Sequence, residues 1–102
     1  MIHKVYTVYD SKAEAYLRPF FARSRGEALR MFEDTVNDPN SMFLRHASDF
    51  TLFEIGEWDD VDGGFSVYEA KVSLGVALEF VRNQEQSDTM FDFRKEQIGG
   101  TA

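Results

Sequence analysis

Four stretches of the chain carry the short-period or aromatic-rich pattern of strands, and one switches to a helical period. Ile2 to Tyr9 packs Ile, two Val, Thr and two Tyr into eight residues and predicts a strand. Ile2, Lys4, Tyr6 and Val8 share one of its faces; His3, Val5, Thr7 and Tyr9 share the other. Asp10-Ser11-Lys12 is turn chemistry, and Ala13 to Tyr16 fits a helical turn or a loop. Leu17 to Ala22 predicts a second strand. Pro19 has no N–H to donate, so this strand is expected at an edge. Ser24-Arg25-Gly26-Glu27 is a capping box, and Ala28, Leu29, Phe32 and Val36 follow as an apolar stripe on a 3.6-residue period. The helix is expected to stop at Asn37-Asp38-Pro39, because proline disfavours helical geometry in the residue before it. Ser41 to His46 predicts one more helical turn, covering the core with Met42, Phe43 and Leu44.

Phe50 to Trp58 predicts a strand, Asp59 to Gly64 a turn, and Phe65 to Lys71 the returning strand of a hairpin. Within the first of these, Glu54 is expected as the solvent-facing member beside Phe53 and Ile55. Val72 to Val81 fits a short helix or a further strand. Ser73 as N-cap, with Leu74, Ala77, Leu78 and Val81 on one face, favours the helix, and Gly75 weakens it. From Arg82 onward the chain turns polar, with Met90, Phe91, Phe93 and Ile98 its large apolar residues. The fold class is therefore α+β. A single mainly antiparallel sheet in the order β-β-α-β-β-α is expected, with helices on one face. Residues 1–81 form the domain, and residues 82–102 a polar C-terminal tail, flexible or docked through Phe91 and Phe93.

At 102 residues there is material for one core, and 43% apolar residues with ten Phe can fill it. No cysteine is present, which excludes disulfides, thiol catalysis and Cys-bound zinc. Neither a signal peptide nor an apolar run near the roughly 20 residues of a membrane helix is visible, so a cytosolic protein without membrane contact is expected. The net charge of −7 opposes bulk electrostatic binding of nucleic acid.

That charge is unevenly placed. Residues 1–30 hold six basic side chains against three acidic ones; residues 31–102 hold five against fifteen. Lys4, Arg18, Arg23, Arg25 and Arg30 are interleaved with Tyr16, Phe20 and Phe21. Alternation would place Tyr16, Arg18 and Phe20 on one strand face, a stacking platform for single-stranded nucleic acid. Arg25, at the first turn of a capped helix, adds a phosphate-favouring position. The plainer reading makes Phe20 and Phe21 core residues and the arginines solvated surface.

Other constellations are weaker. Asp60, Asp62, Gly63 and Glu69 match part of a calcium loop. Its first ligand position would be Trp58, however, and strands flank it, so an acidic hairpin turn is the better reading. His3 and His46 have no spaced partners, and no metal or cofactor is expected. Neither a nucleophile–base pair nor a phosphate loop is present, and no enzymatic activity is expected. Trp58, rimmed by Glu57, Asp59, Asp60 and Asp62, is a candidate anchor for a protein partner, with packing over the sheet end as the structural alternative.

Several stretches taken together resemble a known family. They are Met1 to Tyr16 (MIHKVYTVYDSKAEAY), Asp34 to Pro39 (DTVNDP), Asp49 to Asp59 (DFTLFEIGEWD) and Val72 to Phe80 (VSLGVALEF). In this order they are similar to the small non-structural proteins of gokushoviruses, single-stranded DNA phages of the Microviridae. The resemblance implies a DNA-binding protein of the bacterial cytoplasm, a counterpart of protein C of the larger microviruses. That protein acts at the switch to single-strand synthesis coupled to packaging. No DNA-contact residues carry over with the resemblance, and it does not cover the tail. DNA, single-stranded rather than duplex, is the expected partner, with Lys4, Tyr16, Arg18, Phe20, Arg23, Arg25 and Arg30 as contacts. The alternative is an acidic adaptor for a phage or host replication protein or the procapsid, through Trp58, Asp59 and Asp60. Self-association through the Pro19 edge or the tail is a third expectation.

Overall fold

A computed structural model of the chain describes residues 1–82. The expected tail, with Phe91 and Phe93, lies outside the described residues beyond Arg82. The elements are β1 (Ile2–Asp10), β2 (Ala15–Tyr16), β3 (Phe20–Ala22), α1 (Arg25–Val36), α2 (Met42–Arg45), β4 (Phe50–Asp59) and β5 (Phe65–Val76), with 3-10 turns at Ala47–Asp49 and Ala77–Phe80. All pairings are antiparallel. β4 lies between β1 and β5, and the far edge of β1 is shared by β2 and β3. The fold is α+β as expected, with one more strand than the sequence pattern gave.

The extra strand is β2, within Ala13 to Tyr16, where a helical turn or loop is expected from the sequence. β2 pairs with Tyr9 and Asp10; of the expected strand Leu17 to Ala22 only β3 pairs, with Lys4 to Tyr6, and residues 17–19, with Pro19, bridge the two. The bridge stays docked because the Leu17 N–H donates to the Val8 carbonyl at 2.8 Å and Thr7 Oγ1 donates to the Leu17 carbonyl at 2.7 Å. Before β2, Asp10 Oδ1 accepts from the Lys12 and Ala13 N–H groups and closes an Asx-type turn.

α1 starts where the capping box puts it. Ser24 Oγ accepts from the Glu27 N–H at 3.1 Å, and Glu27 Oε1 accepts in return from Arg23, one residue before the cap. At the other end Asn37 donates to the carbonyls of Glu33 and Phe80 and accepts from the Arg82 N–H, tying the helix end to the last turn. Ala28, Phe32 and Val36 from α1 meet Tyr6, Val8, Phe50 and Leu52 from the sheet in one core. Phe43 of α2 packs on Phe32 and Phe50, and Ala47, Ala77 and Phe80 close the margins, so every described helical element contributes to this core. Met42, expected to cover the core, is exposed.

Two further expectations fail. Val72 to Val76 continue β5 rather than form a helix: Ser73 pairs with Phe53 and Gly75 with Leu52. Gly75 has φ of 133°, which no helix accommodates. Only the four residues Ala77–Phe80 turn, as a 3-10 segment. Glu54, expected at the surface, is 2% exposed. It shares the core face with Phe50 and Leu52, while Phe53 lies opposite.

The parity of β4 reverses at its centre. Val5 and Tyr6 are consecutive on β1 but pair with Gly56 and Glu54, leaving Ile55 as an unpaired bulge residue. Phe53 faces away from the helices before the bulge, and Trp58 faces away after it. Five residues apart, these two would lie on opposite faces of a regular strand. β5 departs further: Tyr68 to Lys71 span the gap between partners of Gly56 and Glu54.

Candidate functional site

The face of the sheet turned away from α1 is lined by aromatic side chains. On β1, His3, Val5, Thr7 and Tyr9 point to it, and their cross-strand partners extend it. At one end Tyr9 packs on Tyr16 with ring centroids 4.7 Å apart, and Tyr16 meets Phe53 edge-on at 6.2 Å. At the other end Trp58 contacts Phe21 at 5.4 Å, His3 at 5.5 Å and Phe65 at 6.3 Å. Lys71, from the irregular part of β5, holds its Nζ 5.5 Å from the centroid of the Tyr16 ring, a cation–π contact. Tyr16 is 47% exposed, Phe21 41% and Phe65 63%, so these rings offer faces or edges to solvent. The two aromatic groups are about 17 Å apart along β4, from five residues of strand rise. Between them lies a groove of about 340 Å3 lined by Thr7, Tyr16, Pro19, Ile55, Glu69 and Lys71, among others.

On the opposite side, where α1 begins, a buried carboxylate collects charge. Glu54 Oε1 accepts from Arg25 Nε at 2.9 Å, and Oε2 accepts from the Tyr68 hydroxyl at 2.7 Å. Lys4 Nζ is 3.8 Å from Glu54 and 3.4 Å from Glu57. Burial by itself would raise the Glu54 pKa. The hydrogen bonds from Tyr68 and Arg25, with the charges of Arg25 and Lys4, outweigh it and hold the carboxyl below its ordinary range. The same hydrogen bond, with burial, pushes the Tyr68 hydroxyl up to about 12. Burial first, and then the Glu54 charge, pushes Tyr6 to about 12 as well. Its hydroxyl is buried without a hydrogen-bond partner.

The basic and aromatic residues singled out in the sequence do not form one platform. Tyr16 is on the open face, but Phe20 stacks on Tyr6 at 5.6 Å within the core. The break at Pro19 is the reason: alternation cannot be carried from Tyr16 to Phe20 through residues outside the ladder. Arg18 lines a cleft on the α1 side with Phe20, Met31 and Phe43. Lys4 and Arg25 are engaged with Glu54 and Glu57. Arg18, Arg23 and Arg30 make no ion pair among the described residues. Trp58 is half-buried in the aromatic group rather than a free anchor. Asp60 is held by the terminal ammonium at 2.7 Å and lies 2.9 Å from His3 Nε2; Asp59 is 3.7 Å from the same ammonium. Hydrogen bonding from the ammonium and from His3 keeps the Asp60 pKa low.

The sequence of the chain matches the family described as Phage ORF5 protein over residues 3–80. The chain belongs to the Phage ORF5 protein family. No curated protein and no solved structure gives a match.

The region shared with the Phage ORF5 family contains both aromatic groups, the groove and the Glu54 network. Proximity of basic residues to aromatics in the sequence does not point to Tyr9, Phe53, Phe65 or Lys71. One sequence signal points to Phe53: β4 is apolar on both faces, with Phe50 and Leu52 against Phe53 and Ile55. Most of the acidic turn side chains are occupied locally. Asp59 Oδ1 accepts from the Val61 N–H at 2.9 Å and Asp62 Oδ1 from the Gly64 N–H at 2.8 Å. Among the described residues no cluster of three or more His, Asp or Glu is arranged to hold a metal ion, and no helix is long and apolar enough to cross a membrane.

Proposed function

We propose that this phage protein binds single-stranded DNA on its open sheet face. In this reading it acts without catalysis in the replication and packaging of a phage genome in the bacterial cytoplasm. The observation that carries the reading is the pair of solvent-accessible aromatic groups on the face away from the helices, with Lys71 over Tyr16. Base–aromatic stacking contributes about 1–3 kcal/mol per base and does not depend on net charge. A chain of net charge −7 can therefore hold a strand through a few rings and a few cations. Lys71 is a cation on the face, and Arg23, next to β3, has no acidic ion-pair partner among the described residues. The resemblance to gokushovirus non-structural proteins supports the replication role and a place beside protein C of the Microviridae.

Fluorescence anisotropy of a labelled single-stranded oligonucleotide, with a duplex control, tests this at low and physiological salt. Expected is salt-dependent binding that prefers the single strand and weakens about tenfold or more in Tyr16→Ala combined with Phe53→Ala, from the loss of one to two stacked bases. Absence of binding at low salt overturns the reading.

The second reading is an acidic adaptor for a phage or host replication protein or the procapsid. The hairpin tip favours it: Val61 is about four-fifths exposed between Asp60 and Asp62. Trp58→Ala would then abolish capture of the partner, and the wild type would bind no oligonucleotide at low salt.

A further inference from the structure

The groove between the two aromatic groups has a chemistry different from theirs. Tyr68 to Lys71 span a gap in β5 where β4 supplies only Ile55. This excursion carries Glu69 and Lys71 to the groove, opposite Thr7, Tyr16 and Pro19. Strand irregularities that re-aim side chains are frequent beside binding sites. The walls are mostly apolar, with one anionic and one cationic side chain at the rim. At about 340 Å3 the space is at the lower end of small-ligand pockets, enough for one base with part of its sugar.

Resting on the single-strand reading above, we infer that this groove receives one unstacked base of the bound strand and favours a base with an exocyclic amino group over thymine. Lys71 is held over the Tyr16 ring at the groove, where its ammonium can meet the phosphate of the nucleotide whose base enters the groove. Glu69, two residues earlier on the same side of β5, presents a carboxylate to the groove. An ionised carboxylate only accepts hydrogen bonds. It pairs with the N4 amino group of cytosine and is repelled by the O4 carbonyl that thymine presents in the same place. The aromatic groups hold neighbouring bases through their faces, which all bases share, so discrimination falls to the groove.

The test compares labelled dC12 and dT12 at pH 7.5 and low salt, with wild type, Glu69→Gln and Lys71→Ala. Wild type is expected to bind dC12 about five- to tenfold more tightly. Glu69→Gln presents both a donor and an acceptor; the ratio should fall to within twofold, mainly through tighter binding of dT12. Lys71→Ala should weaken both oligonucleotides equally and leave the ratio intact. Equal binding of dC12 and dT12 by wild type, or a preference that survives Glu69→Gln, overturns the groove assignment while leaving single-strand binding in place. Failure of both oligonucleotides to bind wild type overturns the single-strand reading and this inference with it.

Discussion

Replacing Glu54 by Gln isolates the charge at the centre of the buried network with little change of shape. The carboxylate is 2% exposed and receives one hydrogen bond from a cation and one from a hydroxyl. A hydrogen bond to a charged group contributes about 1.5–3 kcal/mol, and a neutral one about 0.5–1.5. Two bonds thus lose roughly 2–3 kcal/mol when the charge goes. Two terms offset part of this. The amide is less costly to bury than the carboxylate, and Arg25, 54% exposed, regains water when its partner is neutral. The net destabilisation at pH 7 should be about 1–2 kcal/mol, a fall in Tm of roughly 5–15 °C for a domain of this size. The pH dependence has a fixed sign. The fold holds Glu54 below its unfolded value of 4.5, so the stabilisation is fully present above 4.5. It is lost as the pH falls through the depressed folded value. Thermal and urea unfolding of wild type and Glu54→Gln at pH 7, 5 and 3 should therefore show a gap that is constant from 7 to 5 and narrows by 3. All other carboxylates titrate alike in the two proteins and cancel. A gap that is absent at pH 7, or as large at pH 3 as at pH 7, refutes an ionised, stabilising Glu54.

Two other outcomes are expected. Gly75→Ala combines a φ of 133° with a Cβ that would lie 2.8 Å from Glu79 Oε1 and 2.9 Å from Phe80 Cε2, so it should cost about 1–3 kcal/mol in urea unfolding. Arg23→Ala should leave Tm nearly unchanged, weaken single-strand binding, and reduce the slope of log K against log salt by about 0.7, one phosphate contact; an unchanged slope removes Arg23 from the interface.

Local signals along the chain were legible where one residue type fixes one geometry. Ser24 and Glu27 marked the start of α1, and the approach to Pro39 marked its end, because capping and proline constraints act within a few residues. Gly75 weakens a helical reading of residues 72–81, and its φ of 133° outweighs the apolar spacing of Leu74, Ala77 and Leu78. What alternation could not reveal was parity. Phe50-Thr-Leu-Phe-Glu-Ile-Gly-Glu-Trp58 has large apolar residues at both parities, so the face opposite α1 depends on partners elsewhere in the chain. The choice places Glu54 in the core, and what makes burial possible is Arg25, 29 residues away in sequence and adjacent only through the fold. The bulge at Ile55 then turns Trp58 to the same side as Phe53. Without that single unpaired residue, Trp58 would lie on the side of Glu54 and Tyr6, and the open face would keep only the Tyr9–Tyr16–Phe53 group and the Phe21 and Phe65 rings. The candidate site is thus a product of strand register. Proximity of basic residues to aromatics in sequence points to Phe20, which the break at Pro19 sends into the core, and not to Phe53 and Lys71, which register brings to Tyr16.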